Sequence, residues 1–416
     1  MNVRERSRLP VLGVDEALRV VLGEARPLAP QRMPLAEAAG RFLAETLHAT
    51  ADMPPFDRTA MDGFAVRAAD VAGAPVLLEV IEEIPAGRDP SVAIGKGQAA
   101  RIMTGAMIPP GADAVVMVEH SEETGAAGQV RILRASAAGL HIRRAGEDLK
   151  RGALLLSPGA RLGAAAMALL AAEGRSQVLA GSLPSVAVLS TGDELVPIEE
   201  TPDGSRIRET NSWSLGALLA AQGIRPEILG IARDEEGAIR ERLAAGLRAD
   251  VLLVSGGVSM GEFDLVGGCL EALGCRARFE RVAIQPGKPL FFGTCDGASG
   301  HRTLVFGLPG NPVSSIVDFL VFARPALRRM SGDPAPLDPA PAARLLGAVR
   351  RHPGRRGYLP ARLSLDGAGG LQAEPVSSMG SADLVALGRA DAFLIAPEER
   401  AEISAGESLR VLTLPR

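Results

Sequence analysis

Aromatic residues are scarce in this 416-residue chain, with one Trp, one Tyr and eleven Phe. A base-stacking platform for nucleic acid needs more, and a net charge of −4 offers no basic face. The three cysteines, Cys269, Cys275 and Cys295, are odd in number and lack CxxC spacing. That argues against a disulfide framework or zinc knuckle and fits a reducing compartment. The five histidines (His48, His120, His141, His301, His352) show no ligand spacing, and HExxH is absent. A protein-bound transition metal is therefore not expected, while Mg²⁺ on carboxylate and phosphate oxygens remains open. GxxxxGK[ST] and GxGxxG are missing too, which removes support for ordinary nucleotide hydrolysis and dinucleotide redox chemistry. Met1 to Pro10 has no apolar run behind it, and Leu162 to Ala172 is too short to cross a bilayer. The expectation is a cytoplasmic protein without nucleic-acid or membrane partners.

Glycine (48) and proline (30) are plentiful without a G-X-Y period, which means many turns. Val14 to Leu22 reads as a helix with Asp15 and Glu16 in its first turn, and Leu35 to Leu47 as a second. Short β-like runs follow from Phe64 to about Leu133 (Val76–Ile81, Ala114–Glu119, Gln129–Leu133). Leu162 to Glu173 is helical again, so the β unit looks inserted. After Pro184 buried-strand runs (Val186–Leu189, Val251–Val254, Thr303–Phe306) alternate with helical patterns (Asn211–Gln222, Val313–Leu320). Such alternation predicts a parallel, doubly wound α/β sheet. The proline-rich stretch 331–341 reads as a linker, and 342–416 as a small β domain.

Ligands of open α/β sheets bind beyond the carboxyl ends of the strands. Three loops hold that place: Ser190-Thr-Gly-Asp-Glu194, Ser255 to Asp264, and Gly307-Leu-Pro-Gly-Asn-Pro-Val-Ser-Ser315. Turns make such loops rich in Gly and Ser anyway. Three loops combining hydroxyls with acids nonetheless favour a site for a phosphorylated ligand with a bound cation. Lys288, in Gln285-Pro-Gly-Lys-Pro289, suits an oxyanion as a point charge on a turn, although an exposed turn lysine is the commoner case. The acidic segment Asp57 to Gly63, Arg101 to Gly105 and Arg144 to Asp148 each read singly as solvated loops. Arg350, Arg351, Arg355 and Arg356 form a basic cluster that is either solvated or lines an anionic pocket.

Together these motifs resemble the molybdopterin molybdenumtransferase family (MoeA and the gephyrin E-domain). The resemblance is carried by Phe56 to Val66, Arg101 to Ala106, Pro110 to Val116, Ile142 to Asp148, Ser190 to Leu195, Ser255 to Gly261 with Asp264, Pro286 to Pro289, and Leu308 to Ser314. It implies a multidomain α/β chain: an elongated helical N-terminal domain (1–50 and 145–182), an inserted small β domain (51–144), a molybdopterin-binding doubly wound α/β domain (183–332) and a C-terminal β-barrel (333–416). It further implies a homodimer whose cleft is shared between one subunit's α/β domain and the other's N-terminal loops. The implied reaction inserts molybdenum from molybdate into adenylylated molybdopterin, with Mg²⁺-dependent release of AMP.

In that family pattern Asp62, Thr104, Asp148, Glu194, Asp234 and Asp264 are catalytic, and Asp62, Glu194 and Asp264 hold the metal. Ser190, Thr191, Gly192, Ser255, Gly256, Gly257, Ser259, Arg281, Lys288, Pro309, Gly310, Asn311, Ser314 and Ser381 bind substrate. The sequence departs from the pattern at Gln285, where the family often carries lysine, at Pro360, where it often has arginine, and after Gly380-Ser381, where a paired serine is missing. A molybdopterin adenylyltransferase, itself a candidate docking partner, shares the glycine loops but would leave the first 180 residues without a role. A pterin-binding scaffold would not require Asp62, Thr104 and Asp148.

Overall fold

The computed structural model describes residues 9–124, 127–257, 265–297 and 300–415. They divide into two compact units, one of residues 9–44, 159–167 and 177–415, the other of residues 45–158 and 168–176. No helix among the described residues is long and apolar enough to cross a membrane.

In the larger unit α1 (Val14–Glu24) forms where the periodicity predicts it. Its buried Val14, Ala17 and Val21 join one core with Leu215, Phe319 and Leu327. Each such valine contributes roughly 1.5–3 kcal/mol by burial, which ties the N-terminal helix to the α/β core. The expected helix from Leu35 to Leu47 is absent. Only one 3₁₀ turn (Leu35–Glu37) and a two-residue strand (Leu47–His48) form, because Gly40 sits at φ +80° and ends the helical path. The helix predicted over Leu162 to Glu173 is present as Ala164–Ala172.

The α/β core runs β1 (Val186–Thr191), α2 (Asn211–Ala220), β2 (Glu227–Ala232), α3 (Glu236–Gly246), β3 (Val251–Ser255), α4 (Leu265–Ala272), β4 (Cys275–Arg281), β5 (Pro289–Asp296), β6 (Arg302–Leu308) and α5 (Pro312–Asp318). The strand order is β2-β1-β3-β6-β5-β4. β1 and β3 are buried along their whole length because helices cover both sheet faces. Four strands are parallel as predicted, but β5 and β4 run antiparallel at one edge. The connections, residues 282–288 and 297–301, are too short for the crossover that a parallel pair needs.

Beyond the α/β core a closed barrel forms from β7 (Ala342–Leu345), β8 (Arg356–Leu365), β9 (Leu371–Pro375), β10 (Ala392–Ala396) and β11 (Ser408–Thr413). The pairing runs β8-β9-β7-β11-β10 and back to β8, around Leu345, Ala361, Ala373, Leu394 and Val411. Ile284–Gln285 pairs with the start of β8 and so fixes the Lys288 turn beside the barrel. The stretch read as a linker is held in place. Arg328 bridges Asp333 (2.6 Å) and Asp338 (2.7 Å), and Arg324 also pairs with Asp338.

The smaller unit is built on a six-stranded sheet in the order Ala114–Met117, Gly63–Val66, Gln98–Ile102, Val76–Ile84, Gln129–Ile132, Ser121–Glu123. Alternation along Phe64-Ala65-Val66 feeds two cores, one on each face. Gly63 has no substitute here, since a Cβ would come within 1.9 Å of the Val116 carbonyl oxygen.

Candidate functional site

The chain leaves β1 toward β2 on one side and returns to β3 on the other, so the ends of β1 and β3 mark a topological switch point. The loops there press together. Gly256 (φ +89°) leaves room for Thr191, whose carbonyl oxygen would lie 2.5 Å from a Cβ. A Cβ on Gly310 would lie 3.8 Å from the Gly256 Cα. Asn211, at the start of α2, donates to Ser255 Oγ (2.6 Å) and to Gly310 O (2.8 Å), joining two of the three loops. The buried Glu209 accepts from Ser190 Oγ (3.0 Å), from the Ser212 N–H (2.7 Å) and from Ser212 Oγ. Thr191 Oγ1 and Asn211 Oδ1 are buried without a partner among the described residues. Orphan polar atoms at a strand-end crevice are what a polar ligand would satisfy.

Glu194 is exposed and folds back over Gly192, where a Cβ would lie 2.4 Å from Glu194 Oε2. Asp193 accepts from the Asp234 N–H (3.2 Å), and Arg233 donates to the carbonyls of Asp193 (2.9 Å) and Leu195 (3.3 Å). The structure thus brings Ser190, Thr191, Gly192, Ser255, Gly256 and Gly310 to one place, with Glu194 beside Gly192 and Asp234 tied to Asp193. Gly257 belongs with them, since its Cβ would meet Thr191 Oγ1 at 2.7 Å. Ser259 and Asp264 lie outside the described residues.

Beside these loops opens a cleft of about 730 Å³ between the Lys288 turn, Pro309 to Ser314, and the barrel residues Arg350 to Pro360 and Ser378 to Ser381. Asn311 Nδ2 donates to Ser381 Oγ (2.9 Å) across it. Three of the four clustered arginines are committed elsewhere. Arg350 pairs with Glu402 (3.2 Å), Arg351 donates to the Pro397, Arg400 and Arg355 carbonyls, and Arg356 holds Asp15 through two bonds (2.6 and 2.8 Å). Arg355 and the exposed Lys288 line the cleft with no side-chain partner among the described residues. Gln285 Oε1, also at the cleft, is buried with no partner among the described residues. Arg281 does not line it; its Nη2 donates to Leu9 O (3.1 Å).

Behind the turn sits Asp318, fully buried, with neither carboxyl oxygen partnered among the described residues. A Cβ on Gly287 (φ +107°) would lie 2.4 Å from Asp318 Oδ1. Burial pushes its pKa well above the usual carboxylate range. Burial likewise raises the Tyr358 hydroxyl.

In the smaller unit Asp62 Oδ1 accepts from both the N–H and the Oγ1 of Thr104, each at 2.6 Å. Those bonds hold its carboxyl below the usual range. Asp148 pairs with Arg143, and Asp57 with Arg144 at 2.5 Å. The backbone N–H of Ala145, followed by Arg144, depresses Asp57. Among the described residues no three His, Cys, Asp or Glu side chains cluster as a metal cage. Glu209, Asn211, Arg233 and Asp318 escaped the sequence reading. Only Glu209 and Asn211, flanking the start of a helix, carried a local signal.

Three family models match the chain: "MoeA N-terminal region (domain I and II)" over residues 12–174, "Probable molybdopterin binding domain" over 187–329, and "MoeA C-terminal region (domain IV)" over 342–414. A protein of Mycobacterium tuberculosis named molybdopterin molybdenumtransferase 2 is 37% identical over 416 residues, covering 96% of this chain and 99% of its own length. The Bacillus subtilis molybdopterin molybdenumtransferase is 33% identical, covering 99% and 95%. The crystal structure of a molybdopterin biosynthesis MoeA protein from Pyrococcus horikoshii OT3 superposes with a TM-score of 0.81 at 31% identity, covering 97% of this chain and all of that one.

Proposed function

This chain belongs to the MoeA family, and from that premise we propose that it inserts molybdenum from molybdate into adenylylated molybdopterin, with release of AMP. It is a transferase of molybdenum cofactor biosynthesis. The observation that carries the mechanism is the pair of cations, Lys288 and Arg355, that line the open cleft beside the switch-point loops with no side-chain partner among the described residues. Molybdate is a dianion. A lysine point charge and an arginine fork on rigid turns attract it and orient its oxygens, with Asn311 and Ser381 as uncharged donors at the same cleft.

The diphosphate of the substrate lies at the switch-point loops that Asn211 joins, and Thr191 Oγ1, buried without a partner among the described residues, donates to it. Glu194 supplies a carboxylate at that point. A hard cation that completes its shell with substrate phosphates needs only one or two carboxylates, so the residues present fit magnesium without a three-acid cage. When bound, magnesium neutralises charge on the diphosphate as the anhydride opens. Asp234 lies in the same loop cluster and orients the attacking water.

The protein acts as a homodimer in the cytoplasm, with Asp62, Thr104 and Asp148 serving the partner's α/β core. Asp62, kept ionised by Thr104, and Asp148 are exposed on their own unit, which suits acids that act outside it. An adenylyltransferase that makes the substrate docks to hand it over.

The test incubates the purified protein with adenylylated molybdopterin, molybdate and Mg²⁺, following AMP and protein-retained molybdenum, with Asp62→Ala alongside. Molybdate-dependent AMP release that is lost in the variant supports the reading. Substrate binding without AMP release under any oxyanion refutes it.

A further inference from the structure

A buried carboxyl with neither oxygen partnered among the described residues lowers stability whether or not it carries its proton. Asp318 is such a group, so its place calls for a reason. It ends α5 and runs directly into the π-helical turn Phe319–Ala323. Turns of that kind are rare and occur mostly at functional sites. The two carboxyl oxygens fill the space that a side chain on Gly287 would take. A Cβ there would lie 2.4 Å from Oδ1 and 2.6 Å from Oδ2. The next residue of the turn is Lys288, which lines the basic cleft together with Gln285 and Tyr358. Asp318 does not line that cleft; it stands behind its wall.

Few ionisable groups surround it. α2, the π turn and the short helix Leu384–Gly388 pack against α5, and none of them contains one. β6, also packed against α5, contributes only Arg302, held by Glu24 and Asp296 at the far end of the strand. That leaves Lys288, one residue beyond Gly287, and Tyr358, which feels the charge of Asp318. Arg356, bonded to Tyr358, is itself held by Asp15 and Glu398.

We propose that Asp318 is a positioning residue for the oxyanion, acting through the Gly287–Lys288 turn, and that the cleft takes up molybdate while the carboxyl behind the turn is uncharged. This rests on the molybdate reading of the cleft proposed above. With its proton in place Asp318 adds no charge, and the Lys288 ammonium meets the dianion undiminished. Without the proton, a carboxylate shielded from water stands behind that ammonium, offsets its field and repels the dianion. Burial moves this change above the ordinary carboxylate range, where molybdate is fully dianionic. By linkage the effect is reciprocal, so a bound dianion holds the proton on Asp318.

Equilibrium dialysis with molybdate compares wild type and Asp318→Asn from about pH 6 to about pH 9 at fixed ionic strength. In the wild type the molybdate Kd should be flat at low pH and then rise, by up to about tenfold per pH unit, as Asp318 ionises. That rise should be missing in Asp318→Asn. Lys288, Arg355 and His352 line the cleft in both proteins, so their own titration cancels in the comparison. Calorimetry in two buffers of different ionisation enthalpy reads the linkage directly. On the rising part of the wild-type curve, molybdate binding should take up more protons than it does in the variant. If Asp318→Asn does not fold, Asp318→Ser, equally unable to ionise, takes its place. Coincident pH profiles with equal proton uptake overturn the role of Asp318 and leave the molybdate reading standing. A variant weaker by one constant factor at every pH overturns it as well, since that marks packing alone. A wild type that binds no molybdate at any pH refutes the molybdate reading of the cleft, and this inference falls with it.

Discussion

Asp318→Asn should make the protein more stable at neutral pH, by an amount that grows with pH. In the wild type the carboxyl is fully buried, has no partner among the described residues and lies against Gly287. Burial raises its pKa well above 3.8. The sign follows from which state holds the proton. Below about 3.8 both folded and unfolded chains keep it, and the group does not affect stability through ionisation. Above that value the unfolded chain ionises while the folded one stays neutral, so folding must take up a proton. Stability is then lost at about 1.4 kcal/mol per pH unit until the folded value is reached. Tyr358, the titratable neighbour that senses Asp318, is itself raised by burial and stays neutral across this range.

Asparagine has nearly the same shape and cannot ionise. Between the unfolded value near 3.8 and the raised folded value, the gap between variant and wild type should therefore widen by about 1.4 kcal/mol per pH unit. At roughly 2–4 °C per kcal/mol, that is about 3–5 °C per pH unit in the transition of the α/β core. Scanning calorimetry of both proteins in matched buffers measures it. A gap independent of pH would refute the reasoning, because it would mean that Asp318 ionises as easily inside the fold as outside.

Arg355→Ala should weaken molybdate binding about 10- to 100-fold, the worth of one charge-assisted contact, whereas Arg350→Ala, already paired with Glu402 at the surface, should change it little; equilibrium dialysis separates the two. Thr104→Val removes the hydroxyl that depresses Asp62, so the acid limb of the kcat/KM profile should move to higher pH, and an unmoved limb would remove Asp62 from the reaction. Gly63→Ala forces a Cβ into the Val116 carbonyl and should destabilise the smaller unit by about 1–3 kcal/mol or more, read as earlier proteolysis between residues 45 and 158 with the α/β core intact. Glu209→Gln replaces a carboxylate that accepts three donors and should cost about 1.5–3 kcal/mol, visible as a lower melting transition and a higher substrate KM.

Much of the fold is written locally. The periodicity of Val14 to Leu22 predicts α1, and the apolar runs at Val186, Val251 and Thr303 predict three central strands. Strand, glycine loop and helix in that order fix where a ligand crevice opens, because those signals lie within a few residues of one another. Sequence order alone does not say which strands pair. The antiparallel edge of β4 and β5 follows from short connections in three dimensions, and the expected helix from Leu35 fails at the backbone of Gly40.

The chemistry divides in the same way. Sequence supplies the residue types: glycines at the strand ends, a lysine in a turn, four arginines in one cluster. Tertiary structure alone decides that Arg350, Arg351 and Arg356 have partners while the Arg355 side chain lines the cleft with none among the described residues. It alone buries Asp318 without a partner among the described residues and leaves the one tryptophan open over a cavity. A side chain's charge and shape are local properties. Whether it is satisfied depends on atoms brought to it from distant parts of the chain, and that is set only when the chain folds.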